Sequence, residues 1–191
     1  MKTLLAAALV LAFPVFVHAF QEPEDFRGLK WGISMEQAEA AIKEQWTRRR
    51  EAGEVFATPS IMPFSYDERL KMLLYRDKIG NIPAGLQLYF LDDHFVNATI
   101  DFKSAEFGTI EAAFKERYGE PTKEQATAIQ NRAGARFEQK ELNWSGSDVT
   151  ILLQRYSGKI TDGVARISRQ DYIKYMVEKA REKRGKAAKD L

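Results

Sequence analysis

Between residues 34 and 50 the apolar side chains Met35, Ala38, Ile42 and Trp46 recur at helical spacing, which predicts a helix with one buried stripe. Ser34 stands where an N-cap is needed. Gln37 three residues on completes a capping box, and Ile33 is placed to staple onto Ala38. Upstream, Gly28 and Gly32 flank Trp31, a pattern for a short strand or turn feeding that helix. Two prolines, Pro59 and Pro63, then bar a regular helix and demote a strand around Ile61 and Met62. From residue 70 the period changes to two. Residues 70–76 read as a strand, and 77–84 as a turn or loop punctuated by Gly80, Asn81 and Pro83. Residues 85–91 and 95–102 read as a hairpin with Asp92, Asp93 and His94 at its tip. In its second strand Val96, Ala98, Ile100 and Phe102 alternate with Asn97, Thr99, Asp101 and Lys103, one face buried and one wet.

A second helix is predicted over 110–118, capped by Thr109, burying Ile110, Ala113, Phe114 and Tyr118, and stopped by Gly119 and Pro121. Residues 121–134 are polar and weakly patterned, which predicts a mobile loop. Strands follow at 136–144 and 149–156 across a Ser145–Asp148 turn, and at 164–168. The chain closes with a helix over 170–183 whose apolar stripe is Ile173, Met176, Val177 and Ala180. The order is helix then strands, twice, plus a final helix. Short connections and no βαβ crossover make the class α+β, an antiparallel sheet packed by helices. Trp31-Gly32 before the first helix is echoed by Phe107-Gly108 before the second. That echo hints at internal duplication, with halves at 28–104 and 105–169.

The first residues change where such a domain is expected to work. Lys2 is a positive start, residues 4–17 are an apolar run broken only by Pro14, and Val17-His18-Ala19 suits a cleavage site after Ala19. The run is shorter than the roughly 20 residues of a membrane-spanning helix. A signal peptide over 1–19 implies an extracytoplasmic protein, most simply a periplasmic one. Acidic residues 20–27 read as a loose leader, 28–185 as one domain and 186–191 as a basic tail. The sequence has no cysteine. It therefore has no disulfide, no thiolate chemistry and no lipoprotein anchor, so the core alone holds the fold. A content of 45% hydrophobic and 29% charged residues excludes a disordered chain. The net charge of +2 gives no global attraction to nucleic acid.

The stretch Phe26-Arg27-Gly28-Leu29-Lys30-Trp31-Gly32 before a capped helix resembles the opening of a group of uncharacterised bacterial exported proteins. Residues 84–96 resemble their central hairpin. Arg117-Tyr118-Gly119-Glu120-Pro121, and Trp144 followed by 149–153, fit the same template. The helix-then-hairpin layout is also similar to the small lipoprotein of the outer-membrane β-barrel assembly machine and to the β-lactamase-inhibitor-protein fold. Both act by binding other proteins, so the resemblance implies a binding or assembly role. This chain lacks the lipidated cysteine of the assembly lipoprotein.

Candidate chemistry is sparse. His94 is the one histidine left after cleavage, and with Asp92 and Asp93 it forms a polar hairpin tip. Three adjacent turn residues do not converge on one ion. An envelope hydrolase or metal-dependent enzyme would need His94 in a cleft with distant carboxylates such as Asp67 or Asp101. No nucleophile elbow, phosphate loop or dinucleotide motif is present, so no cofactor is implied. The aromatic residues are more informative. Trp31, Phe56, Pro59, Met62, Pro63, Phe64 and Tyr66 are the expected lining of a groove for an envelope protein or a small apolar ligand. Lys179, Arg181, Lys183, Arg184 and Lys186 are a possible tether to an anionic surface, a weak peripheral association. The expectation is an exported binding module without an evident catalytic site. Its alternatives are the His94 enzyme and a structural protein tethered by its basic C-terminal helix.

Overall fold

Glu22, from the segment expected to be a loose leader, is pinned across the molecule. Its carboxylate accepts backbone N–H groups from Ser147, Asp148 and Val149 at 2.6–2.8 Å and the Ser147 hydroxyl at 3.0 Å. A β-carbon at Gly146 would collide with that carboxylate, so a side chain there would displace Glu22. The structure is a computed structural model that describes residues 20–54, 59–130 and 134–189, with side chains to 186. The signal segment and Phe56 lie outside the described residues.

Strands β1 (Asp25–Phe26) and β2 (Leu29–Lys30) form a small hairpin. Its two turn residues, Arg27 at φ 56° and Gly28 at φ 80°, have the positive angles that suit a tight hairpin. Helix α1 (Met35–Glu51) starts with the predicted capping box: Ser34 Oγ accepts the Gln37 N–H, and Gln37 Oε1 accepts the Ser34 N–H. Ala38 and Ile42 are buried, and Met35 and Trp46 pack half-buried beside them. The predicted stripe is therefore the packed one.

Strands β3 (Met62–Ser65), β4 (Leu70–Ile79), β5 (Ile82–Leu91) and β6 (His94–Lys103) form a four-stranded meander. Helix α2 (Phe107–Tyr118) leads into a second meander of β7 (Lys123–Gln130), β8 (Arg136–Ser145), β9 (Val149–Gln154) and β10 (Asp162–Arg169). The two meanders join antiparallel through β6 and β10 into one eight-stranded sheet, which leaves β3 and β7 as its outer edges. Helix α3 (Gln170–Lys189) follows. The α+β class with a large antiparallel sheet and a C-terminal helix is what the patterning predicted.

Four local predictions differ from the structure. Residues 77–84 are not a loop: β4 and β5 run to Ile79↔Ile82 around a two-residue turn at Gly80 and Asn81. The strand was hidden because Asp77 occupies an inward position, paired with two arginines. Residues 121–134 include β7, an edge strand whose side chains are nearly all exposed. An exposed edge needs no apolar alternation, so it left no pattern. Thr109 does not cap α2, because a 3-10 turn at Ser104–Glu106 runs straight into a helix starting at Phe107. Between Tyr89 and Phe90 of β5 the register with β6 shifts, which leaves Val96 of β6 without a partner on β5. Phe95, Ala98, Ile100 and Phe102 face the main core, while Val96 joins Leu70, Leu91 and Tyr175 on the other side.

The main core lies on the face covered by α1, α2 and the β1–β2 hairpin. Leu73, Leu86, Leu88, Phe90, Trp144 and Ile151 are fully buried there. Full burial of each such side chain stabilises by roughly 1.5–3 kcal/mol. The opposite face is covered only in part, by α3. That partial cover exposes the site described next.

Candidate binding surface

Helix α3 buries a face that its sequence does not advertise. Tyr175 is buried and Tyr172 half-buried, while Met176 and Val177 remain 44% and 43% exposed. Successive residues turn by about 100°, so Tyr172, Tyr175 and Lys179 fall on one side and the predicted stripe falls beside it. The expectation that Ile173, Met176, Val177 and Ala180 form the buried stripe is corrected. The aromatic pair packs on the sheet because its hydroxyls stay near solvent and polar partners while its rings cover apolar strands.

The uncovered sheet continues this exposed surface. Met62 lies opposite Leu74 and Phe64 opposite Met72, so these four side chains share one face. Tyr66 stacks on Tyr89 with ring centroids 5.9 Å apart, and Tyr89 packs on Tyr172 of α3 at 5.5 Å. The Tyr66 hydroxyl reaches Met72 Sδ at 3.9 Å. Met176 lies one helical turn beyond Tyr172. Among the described residues six large hydrophobics are exposed; Met62, Phe64, Tyr66 and Met176 belong to this surface, Val177 points away from the sheet on the far side of α3, and Ile160 lies elsewhere.

Edge strand β3 offers its side chains more than its backbone. The Tyr66 N–H bonds to Leu70 O, so Phe64 and Met62 also point their backbone groups inward, towards β4. Pro63 takes the outward position and has no N–H to donate. That blunts the edge against strand addition.

The predicted groove residues divide. Met62, Pro63, Phe64 and Tyr66 are exposed together, and Pro59 is half-buried beside them in sequence. Trp31 belongs elsewhere. It stacks on Phe95 at 4.7 Å on the covered face, and its indole N–H donates to Pro23 O at 2.7 Å. The sequence reading missed Tyr89, Tyr172, Met72 and Leu74. The available signal was that β4 is apolar on both faces, Leu70, Met72 and Leu74 alternating with Leu73 and Tyr75.

The basic end of α3 lies next to this surface. By Lys179 the helix has reached the β3–β4 turn, where Lys179 approaches Asp67 at 3.4 Å. Asp67 also accepts the Tyr175 hydroxyl and the Leu70 and Arg69 N–H groups. The Tyr175 hydroxyl, then the Leu70 N–H, hold the Asp67 carboxyl far below the usual carboxylate range. Burial, with Asp67 second, pushes the Tyr175 phenol up to about 12. Arg184 donates to Ala180 O, and Arg181, Lys183 and Lys186 are exposed with no ion pair among the described residues.

His94 stands exposed at the end of the β5–β6 hairpin, with Nδ1 2.7 Å from Asp92 O. Asp92 and Asp93 form the tight turn at φ 50° and 64°. An open cleft of about 480 Å³ at this tip is lined by His94 with Arg69, Asp92, Asp171, Lys174 and Glu178, among others. Arg69 grips Asp92 through two nitrogens at 2.6 and 2.9 Å and draws its carboxyl below the usual range. Neither carboxylate predicted to join His94 does so. Asp67 is engaged by Tyr175 and Lys179, and Asp101 takes the Gln87 amide opposite Gly85, seven residues along β6. Among the described residues no group of three or more histidines, cysteines and acids could hold a metal ion. Among them, too, no helix is long and apolar enough to cross a membrane.

No family model, no curated protein and no solved structure matches this chain.

Proposed function

We propose that this protein is an exported binding module of the bacterial envelope that docks a protein partner on the uncovered face of its sheet. The observation that carries the reading is the exposure of Met62, Phe64 and Tyr66 together at β3, continued through Tyr89 to Tyr172 and then Met176 on α3, two elements distant in sequence. Isolated exposed apolar residues are ordinary, whereas a contiguous aromatic and methionine surface is the usual mark of an interface. Pro63 directs that docking to side chains rather than to the strand edge. Export rests on the apolar run over 4–17 and the Ala19 site, and a binding role also fits the similarity of the helix-then-hairpin layout to two extracytoplasmic groups that act by binding other proteins. The basic residues Arg181, Lys183, Arg184 and Lys186 would steer an acidic partner or surface towards the patch.

Cell fractionation with N-terminal sequencing tests the export claim, with a mature chain starting at Phe20 as the expected result. The purified mature protein is then used to capture partners from envelope extract beside a Met62→Ser, Phe64→Ser variant of equal thermal stability. A partner retained by the parent at high salt and lost by the variant is expected. Retention by both disproves the surface, and a purely cytoplasmic chain of full length disproves the export.

A further inference from the structure

The covered face of the sheet carries a second opening of different character. A cleft of about 190 Å³ lies between the β1–β2 hairpin, the β4–β5 turn and the second half of α2. Its floor is apolar, with Phe26, Ile79, Ile100 and Phe114 among its lining, and Tyr118 at its side. Three cations, Arg27, Lys78 and Arg117, also line it, and no acid does.

These cations are short of counter-charge. Lys78 and Arg117 make no ion pair among the described residues; Arg117 instead lies 5.6 Å over the Tyr118 ring. Arg27 does have a partner, Asp77, whose Oδ2 accepts its Nη2 at 2.7 Å. But Asp77 is shared. Arg49 Nη1 donates to both Asp77 oxygens at 3.0 Å, so one carboxylate, 4% exposed, serves two guanidinium groups. Glu54 reaches Arg49 only at 3.7 Å and from solvent. The other Arg27 nitrogen, Nη1, is buried without any hydrogen-bond partner. An unpaired buried N–H on a charged group is costly enough to need an explanation. Arg27 is the first turn residue of the β1–β2 hairpin, with a left-handed backbone conformation, and its side chain lines the cleft.

The end of α2 does not oppose an anion here as strongly as a bare helix C-terminus would. Two of its terminal carbonyls are occupied, Lys115 O by the Gly119 N–H and Tyr118 O by the Gln21 N–H. Asp25, whose carboxylate takes the Gly28 N–H, acts on Tyr118 but does not line the cleft.

We propose that this cleft binds a small organic anion, a carboxylate carried on a short apolar body. The Lys78, Arg117 and Arg27 side chains select the charge, and the phenylalanine and isoleucine floor selects the body. Its volume is below the roughly 300–1,000 Å³ of pockets for drug-sized molecules, so the ligand is small. This site lies on the opposite face of the sheet from the docking surface, and the inference does not depend on the partner reading.

The test is a titration of the purified protein with hexanoate, hexan-1-ol and inorganic phosphate, followed by amide signals of Gly80, Ala113 and Phe114. Hexanoate is expected to shift these signals saturably and to bind about tenfold more tightly than either other probe, since charge pairing and apolar burial act together only there. A Lys78→Gln, Arg117→Gln variant should keep the thermal midpoint, because neither residue is ion-paired, and should lose about tenfold in hexanoate affinity. The proposal is overturned by no saturable shift, by hexan-1-ol binding equally well, or by phosphate binding equally well. It is likewise overturned by a folded variant that binds hexanoate undiminished.

Discussion

The two outer edges of the sheet occupy equivalent places, each the first strand of a meander, yet they are built oppositely. Edge β7 is polar along most of its length and is held by a charge network: Lys140 Nζ lies 2.8 Å from Glu111 and 2.9 Å from Glu124, and Lys115 reaches Glu111 at 3.2 Å. Such charges are how edge strands commonly avoid unwanted pairing. Edge β3 carries Met62 and Phe64 and relies on Pro63 alone to deter a pairing strand. Being an edge therefore does not explain the apolar surface at β3, because the equivalent edge avoids it. The difference points to a use for the β3 side that the β7 side does not share.

Four substitutions break or sharpen that contrast. The largest effect is expected from Asp77→Ala, which leaves Arg27 and Arg49 without their shared carboxylate beneath β4, the strand that carries β3. Stripping one side of a buried ion cluster costs about 3–5 kcal/mol, read as a lower denaturation midpoint at unchanged slope. Next is Phe64→Lys on the exposed surface. Folding stability should stay within about 0.5 kcal/mol, while partner affinity falls by about 2 kcal/mol or more as for a central interface residue. A calorimetric titration against the captured partner separates the two. On the other edge, Lys140→Met should cost about 1 kcal/mol of stability, the scale of a partly exposed ion network, and leave partner binding unchanged.

The smallest effect is a dependence on acid. Burial acts to raise the Glu22 carboxyl, but the Asp148, Val149 and Ser147 N–H groups and the Ser147 hydroxyl together outweigh it and lower the carboxyl below its usual 4.5. A lowered carboxyl contributes stability that is fully present above pH 4.5 and is lost as the pH falls through the native value. Thermal melts should show the parent losing stability faster than Glu22→Gln below pH 4.5, with the parent ahead above it. Parallel curves at all pH values would mean that the latch contributes nothing.

Two helices show what the sequence can and cannot disclose. Helix α1 and helix α3 both present an apolar stripe at helical spacing, and α1 packs by that stripe. In α3 the stripe is left outside and the tyrosines pack instead. Periodicity states that a helix has an apolar side, not what will cover it. The same limit applied within the sheet. The hairpins, the capping box and the α+β class followed from local alternation and turn chemistry. The bulge at Val96, the edge strand β7 and the inward Asp77 did not, because each depends on partners distant in the chain. Met62, Phe64 and Tyr66 were legible as unusual aromatic and apolar residues in a proline-bearing segment. Their union with Tyr89, Tyr172 and Met176 was not, since it requires the path of α3 across β6 and β5 to the β3–β4 turn. The charged cleft was invisible for a similar reason: Arg27, Lys78 and Arg117 come from three separate elements.

The central claim is that partners meet the molecule at the β3–α3 surface. A photo-crosslinking side chain placed at Phe64, and in a second variant at Lys43 on the solvent side of α1, tests it directly in living cells. Lys43 is 58% exposed and lies on the opposite face of the sheet, so it samples the same surroundings without the surface. A discrete adduct at Phe64, lost when Met176 is also changed to serine and not seen at Lys43, is the predicted result. Adducts from Lys43 alone, or the same adducts from both positions, would contradict the account.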